Sequence, residues 1–243
     1  MFWWQDEVGQ GVRVAFTDRG AGNLALHTGD DATAVRNRRA ALERSMGVPG
    51  GSLVFLEQVH GTDVADADRQ DRPAVPTADA AVSTRGVPLA VMVADCVPVV
   101  LVGAGPQGPV TGVAHAGRRG LLDGVLERTV EQLLARGARR LTAWIGPSIC
   151  GSCYEVPAAL HEQSVARIPA VAATTSWGTP ALDLRAGARD RLSSLGVGVV
   201  EPAAPEPSCT RENEQLSSHR RDPGSGRIVG LVWGTGARRE VAA

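Results

Sequence analysis

Residues 89–102 read Leu-Ala-Val-Met-Val-Ala-Asp-Cys-Val-Pro-Val-Val-Leu-Val, two apolar runs parted by Asp95-Cys96. A strand with one wet face alternates, whereas a run that is apolar at every position has both faces covered. Residues 89–94 therefore predict a central buried strand, and a second apolar run over 97–102 follows at once. The whole stretch is interrupted by a carboxylate and is too short to span a bilayer. Such a chain needs layers of structure on either side of a sheet.

The flanking sequence supplies those layers. Residues 12–16 alternate as a strand, and Asp30-Asp31 open a helix to Met46 that Gly47 and Pro49 stop. A strand over 53–59 delivers Gln58 and His60 to its end, where Gly61 turns the chain. The polar stretch 63–77 reads as a surface loop. Residues 110–114 form another strand, after which Ala116-Gly117-Arg118-Arg119-Gly120 leads into one long helix. Its buried stripe is Leu121, Leu122, Val125, Leu126, Val130, Leu133 and Leu134. Gly137 ends that helix and residues 141–145 return as a strand, which leaves His115 at the first turn of a strand-helix-strand unit. Helices over 157–167 and 184–195, a Pro-rich loop over 201–207, and a turn at 224–227 joining two last strands complete the chain. The expected fold class is mixed α and β (α+β), one domain over residues 1–243 with mixed β-sheets flanked by helices.

Composition narrows the function. With 43% apolar and 21% charged residues the 243-residue chain can bury a sizeable core, which argues against disorder. A formal net charge of −1 gives no overall positive field for nucleic acid or an anionic membrane, so any anion site must be local. All 25 basic residues are Arg, which excludes a Schiff-base lysine and a P-loop lysine. The first residues lack the basic and apolar regions of a secretory signal, so the cytoplasm is the expected compartment.

Cys96 and His115 both follow buried strands and His60 ends another, so the three can converge at one rim of a sheet. Two His and one Cys leave a fourth position open, which is the pattern of catalytic zinc. Each also has a plain structural use, the Cys as a small core residue and the His residues as satisfied cap groups, and spacing alone leaves both readings open. Arg118 and Arg119 fall at the start of the long helix, where free N–H groups and the helix dipole favour an anion. His219, Arg220 and Arg221, with Arg227 beyond, form either a second anion clamp or a solvated basic turn. Cys150-Gly151-Ser152-Cys153 has the spacing of a redox or metal pair, but no partner pair exists and a structural role is expected. No dinucleotide or P-loop glycine signature occurs in a suitable setting.

Taken in order, Glu57-Gln58-Val59-His60-Gly61, Ala94-Asp95-Cys96, His115-Ala116-Gly117-Arg118-Arg119-Gly120, Ile145-Gly146-Pro147 and Tyr154-Glu155-Val156 resemble the YfiH-like family of purine nucleoside phosphorylases, also called laccase-domain or polyphenol oxidase proteins. Gly29-Asp30-Asp31, Asn37-Arg38, Cys209-Thr210, His219-Arg220-Arg221-Asp222 and Gly226-Arg227 extend the likeness over nearly the whole chain. The resemblance implies zinc on His60, Cys96 and His115, and phosphorolysis of adenosine, inosine, guanosine or methylthioadenosine with adenosine deamination beside it. Zinc would activate water for deamination or orient phosphate for phosphorolysis, with Arg119, Arg220 or Arg221 neutralising the phosphate. Asp95 is expected to hydrogen-bond a ligand imidazole. Arg118 and the pair Ser217-Ser218 stand where the family usually has aromatic residues, which puts a stacking wall for the base in question.

Four rival readings remain, one of them from a different class: a binding or scaffold protein whose zinc is structural, with Cys150, Cys153 or Cys209 folding in as a fourth ligand. In a metal-free hydrolase Cys96 would be the nucleophile and His115 its base. Some relatives resemble peptidoglycan editing factors. A copper oxidase would need more imidazoles than the five His of this chain provide, so copper is the lesser expectation.

Overall fold

The computed structural model describes residues 1–71, 75–203 and 207–235. In chain order its strands and helices are β1 (Phe2–Glu7), β2 (Val12–Thr17), α1 (Ala32–Met46), β3 (Val64–Asp66), β4 (Ala80–Ser83), β5 (Leu89–Val93), β6 (Val97–Gly105), β7 (Gly108–Ala116), α2 (Arg118–Asp123), α3 (Val125–Ala135), β8 (Arg139–Ile145), α4 (Ala158–Arg167), β9 (Ala172–Thr174), β10 (Pro180–Leu182), α5 (Leu184–Ser194), β11 (Gly198–Val200) and β12 (Ile228–Gly234). A four-stranded antiparallel sheet has the order β1-β2-β12-β5. A six-stranded mixed sheet has the order β11-β8-β6-β7-β4-β3, with parallel pairs at its two ends. β9 and β10 pair as a separate antiparallel ribbon.

Side-chain parity builds the layers. Successive residues of a strand point to opposite faces. Val14, Phe16, Leu89 and Val91 face Val100, Val113 and Trp144 of the larger sheet, while Ala15, Ala90 and Met92 face Leu42 and Met46 of α1. On the far side, Val97, Val99 and Leu101 pack under Leu126, Val130 and Leu133 of α3 and Leu184 and Leu192 of α5. The order of layers is helix, sheet, sheet, helices. Both faces of β5 and β6 are covered, which is why their sequences do not alternate. At Gly146 an added Cβ would meet the Phe16 ring at 2.3 Å, so glycine is what admits that ring between the sheets.

Several expected elements differ. The long helix is two, because Gly124 at φ 97° takes the left-handed conformation and ends α2. Leu134, expected in the buried stripe, is 51% exposed. Residues 53–59 form no continuous strand. Val54 bridges Leu89 and Glu57 bridges Thr77, so the segment divides its hydrogen bonds between two partners. The polar stretch 63–77 contains β3, and its residues 72–74 lie outside the described residues. Residues 217–218 are irregular and 219–221 form a turn rather than a strand, so β12 alone follows the 224–227 turn. β1 is an additional strand at the edge of its sheet. The Pro-rich loop at 201–207 lies partly outside the described residues. Asp31 does cap α1, accepting from Ala34 N at 2.7 Å, and Gly47 closes it at φ 70°. Among the described residues no helix is long and apolar enough to cross a membrane.

Candidate metal centre

β5 belongs to the four-stranded sheet and β6 to the six-stranded one, and the chain passes between them through Asp95 and Cys96. Asp95 makes the switch at φ 86°. Cys96 is thereby held where the two sheets part. β7 runs beside β6 and brings His115 opposite Pro98, while the extended segment 53–59 arrives from the other side. Gln58 fixes that segment by a pair of bonds to Met92, accepting from its N at 2.8 Å and donating to its O at 2.7 Å. His60 follows at φ 60°, a left-handed conformation that aims its ring back toward Cys96.

The carboxylate expected on a ligand imidazole is present, but it belongs to Asp79 and not Asp95. Asp79 is fully buried, accepts from His115 Nδ1 at 2.8 Å, and also accepts from the backbone N–H groups of Val59, His60 and Gly61. A carboxylate can only accept, so Nδ1 carries the proton and His115 Nε2 is left to face the thiol. Asp95 instead accepts from Thr210 Oγ1 and from Arg220 N, each at 2.6 Å, and so holds the 219–221 turn against the site.

The donor atoms of His60, Cys96 and His115 lie within 4.8 Å of one another, with Cys96 Sγ 3.8 Å from His60 Nε2. A tetrahedral ion sets such N and S donors about 3.5 Å apart. Burial pushes the Cys96 thiol up, but the charge of His115 and hydrogen bonds from His115 and His60 bring it down to about 6. Burial pushes His115 down, and the Cys96 and Asp79 charges carry it up to about 9. The pair is thus a thiolate beside an imidazolium, and an ion held by both would take the place of the proton on His115 Nε2. Gly117 completes the cradle, because a Cβ there would stand 2.7 Å from His60 Cδ2 and 3.3 Å from Cys96 Sγ. Two imidazoles and one thiolate, with no fourth protein donor in the set among the described residues, fit zinc with an open position.

The three donors stand at the wall of a cavity of about 330 Å³. Tyr154 and Arg220 line another wall, with the Arg220 guanidinium 5.2 Å from the ring centre and its Nη1 donating to Glu155 O at 2.9 Å. Arg227, His219 and His27 also face the cavity. His27 was not among the sequence candidates, and nothing in its surroundings in the sequence marks it. Two expected phosphate ligands sit elsewhere. Arg221 gives its guanidinium to the carbonyls of Thr210, Arg211, Asn213 and Leu216, so it braces a loop. Arg119 is exposed on α2 and is not part of the cavity lining. Ser217 and Ser218 are buried and also lie away from the lining.

Residues 11–235 match the family described as multi-copper polyphenol oxidoreductase laccase. The chain is 44% identical over 243 aligned residues to a purine nucleoside phosphorylase of Streptomyces coelicolor, covering 94% of this chain and 98% of that one. It is 41% identical to a purine nucleoside phosphorylase of Mycobacterium tuberculosis, covering 87% and 84%. Among solved structures, a Neisseria meningitidis protein superposes with a TM-score of 0.81 at 31% identity over 97% of this chain and 99% of that one. YlmD from Geobacillus stearothermophilus does so with a TM-score of 0.78 at 28% identity over 96% and 99%. With the motifs, the fold and these relatives in agreement, the chain belongs to the laccase-like YfiH family.

Proposed function

We propose that the chain is a zinc-dependent purine nucleoside phosphorylase for adenosine, inosine, guanosine or S-methyl-5′-thioadenosine, with adenosine deamination as a second activity of the same cavity. The observation that carries this reading is the three-donor set His60, Cys96 and His115 opening onto a cavity that also holds two guanidinium groups, Arg220 and Arg227. The names of the relatives support the class of reaction. Zinc held by the three donors would supply Lewis-acid polarisation of an oxygen on phosphate or of water near the purine ring.

The chain's own residues account for the rest. Phosphorolysis forms a bond from a phosphate oxygen to the anomeric carbon and breaks the bond from that carbon to the base, with positive charge developing on the sugar. Arg220 keeps one N–H on Glu155 O, so its fork is held while the others face phosphate. Arg227 adds a second charge. Tyr154 presents a ring to the base or sugar, and burial pushes its hydroxyl up, so it stays a neutral donor. Asp95 is a positioning residue that fixes the turn carrying Arg220.

The test is product analysis by chromatography on wild type and Cys96→Ser given adenosine with and without phosphate, with metal analysis of both. Adenine that forms only with phosphate, beside inosine, and disappears with the metal in the variant is the expected result. A wild type that binds metal yet consumes no nucleoside overturns the reading. A second reading has its own observation, since the lowered Cys96 thiol, His115 and Asp79 stand in the order nucleophile, base, orienting acid. In that case the metal-free protein would keep its activity and alkylation of Cys96 would end it.

A further inference from the structure

A second group of donors lies apart from the cavity's metal centre. Cys150 and Cys153 stand on a tight turn in which Cys153 N and Tyr154 N both donate to Cys150 O at 3.0 Å. Cys209 and Glu212 have the same two-residue spacing on a second turn, closed by Asn213 N donating to Cys209 O at 2.9 Å. The two turns are clamped together. Ser148 N donates to Ser208 O and Thr210 N to Ser148 O, each at 3.1 Å, in a parallel bridge between Ser148 and Cys209. The result is that Sγ of Cys150, Cys153 and Cys209 and a carboxylate oxygen of Glu212 all lie within 4.8 Å of one another.

We infer that Cys150, Cys153, Cys209 and Glu212 form a closed, four-donor structural zinc site. Three thiolates and a carboxylate select a soft or borderline ion over magnesium or calcium, and four protein donors leave no position for substrate. Two turns that each offer a pair of donors at two-residue spacing are the arrangement by which short loops wrap zinc. Burial and the neighbouring acidic groups push the Cys150 and Cys153 thiols up, so an ion would have to displace their protons, and one N–H donor and one cation face the group. Cys150 N points at Cys209 Sγ at 3.4 Å, and the half-buried guanidinium of Arg185 is anchored beside the pair on Ser148 and Ser208, where it offsets the excess negative charge. Cys153 and Cys209 are each 5% exposed, and Cys153 Sγ donates to Glu212 Oε1 at 3.2 Å. In the sequence the pair at 150 and 153 has no Cys-x-x-Cys partner because the partner turn ends in a carboxylate.

An ion here would tie the segment carrying Ile149 and Tyr154, which line the cavity, to the segment whose Thr210 holds Asp95. Its donors are wholly different from His60, Cys96 and His115, so the two sites can be counted separately. The experiment measures zinc by mass spectrometry in the full chain, purified without a metal-affinity tag. Wild type is expected to carry two zinc ions per chain, Cys96→Ser one, and the Cys153→Ser, Cys209→Ser double variant no more than one. Because that double variant can fail to fold, Cys96→Ser is also loaded with cobalt, where tetrahedral d–d absorption with strong thiolate charge transfer is expected from the three remaining ligating thiols. Zinc-free Cys96→Ser with a cobalt spectrum lacking thiolate charge transfer overturns the inference and leaves the phosphorylase reading standing. A disulfide among Cys150, Cys153 and Cys209 in the non-reduced protein as isolated overturns it too.

Discussion

Asp79 offers two carboxylate oxygens to four donors, three of them the backbone N–H groups around His60 and the fourth the His115 ring. It therefore sets the position of one candidate metal donor and the tautomer of another. Asp79→Asn presents one acceptor oxygen where two are used, and a 10- to 100-fold loss of metal affinity is expected. Competition with a chelator of known affinity measures it, and an unchanged affinity would remove Asp79 from this role. The neighbouring arginines divide by their partners. Arg220→Ala should raise KM for phosphate and leave thermal stability nearly unchanged. Arg221→Ala, which abandons several loop carbonyls, should cost about 2 kcal/mol of stability in denaturant titration. At this scale Cys96 and His115 were legible as candidates because each follows an apolar run, and His60 because it ends a segment that reads as a strand, but spacing left their plain structural uses open and the resemblance to the family chose the metal reading. Asp79 was not legible, because it follows Asp63, Asp66, Asp68 and Asp71 in a polar stretch and meets His115 only through the pairing of β4 with β7.

The same stretch carries an element-scale prediction. Asp68 lies just beyond β3 and accepts from Ser83 Oγ at 2.6 Å, Thr84 N at 2.7 Å and Thr84 Oγ1 at 2.8 Å, which ties β3 to the end of β4. Burial pushes its carboxyl up, but these bonds outweigh burial and hold it below the ordinary 3.8. A carboxyl lowered by folding adds stability that is present above 3.8 and is lost as pH falls through its lower folded value. Asp68→Asn should lower Tm at neutral pH and narrow the gap to wild type in acid, and a gap constant across that range would reject the role. Where burial dictates the pattern, the elements were readable in advance, as in β5, β6 and α1. The break between α2 and α3 was not, because Leu121, Leu122, Val125 and Leu126 keep a helical period across Gly124 and only its backbone angle ends the first helix. β1 escaped because Phe2, Trp3 and Trp4 are all partly buried and show no alternation.

Across the whole molecule, the two sheets meet through Phe16, which is fully buried between them against Gly146 and Gly230. Phe16→Ala should cost about 3–5 kcal/mol. Since Trp144 packs between the sheets and Trp233 lies on the α1 side, their fluorescence should be lost in one transition at a lower temperature. Two separate transitions would mean that the sheets unfold independently. The layered class could be anticipated from apolar runs, but the assignment of β5 and β6 to different sheets could not, because it depends on the left-handed turn at Asp95 and on long-range partners. That turn makes Cys96 a gauge of alignment. One sheet presents the backbone leading into the thiol and the other receives the strand that begins with it, so a slip between them changes the donor spacing without altering any ligand. Metal affinity should then respond to core substitutions far from the cavity before heat stability does, and screening variants by bound metal would reveal strain that a melting curve conceals.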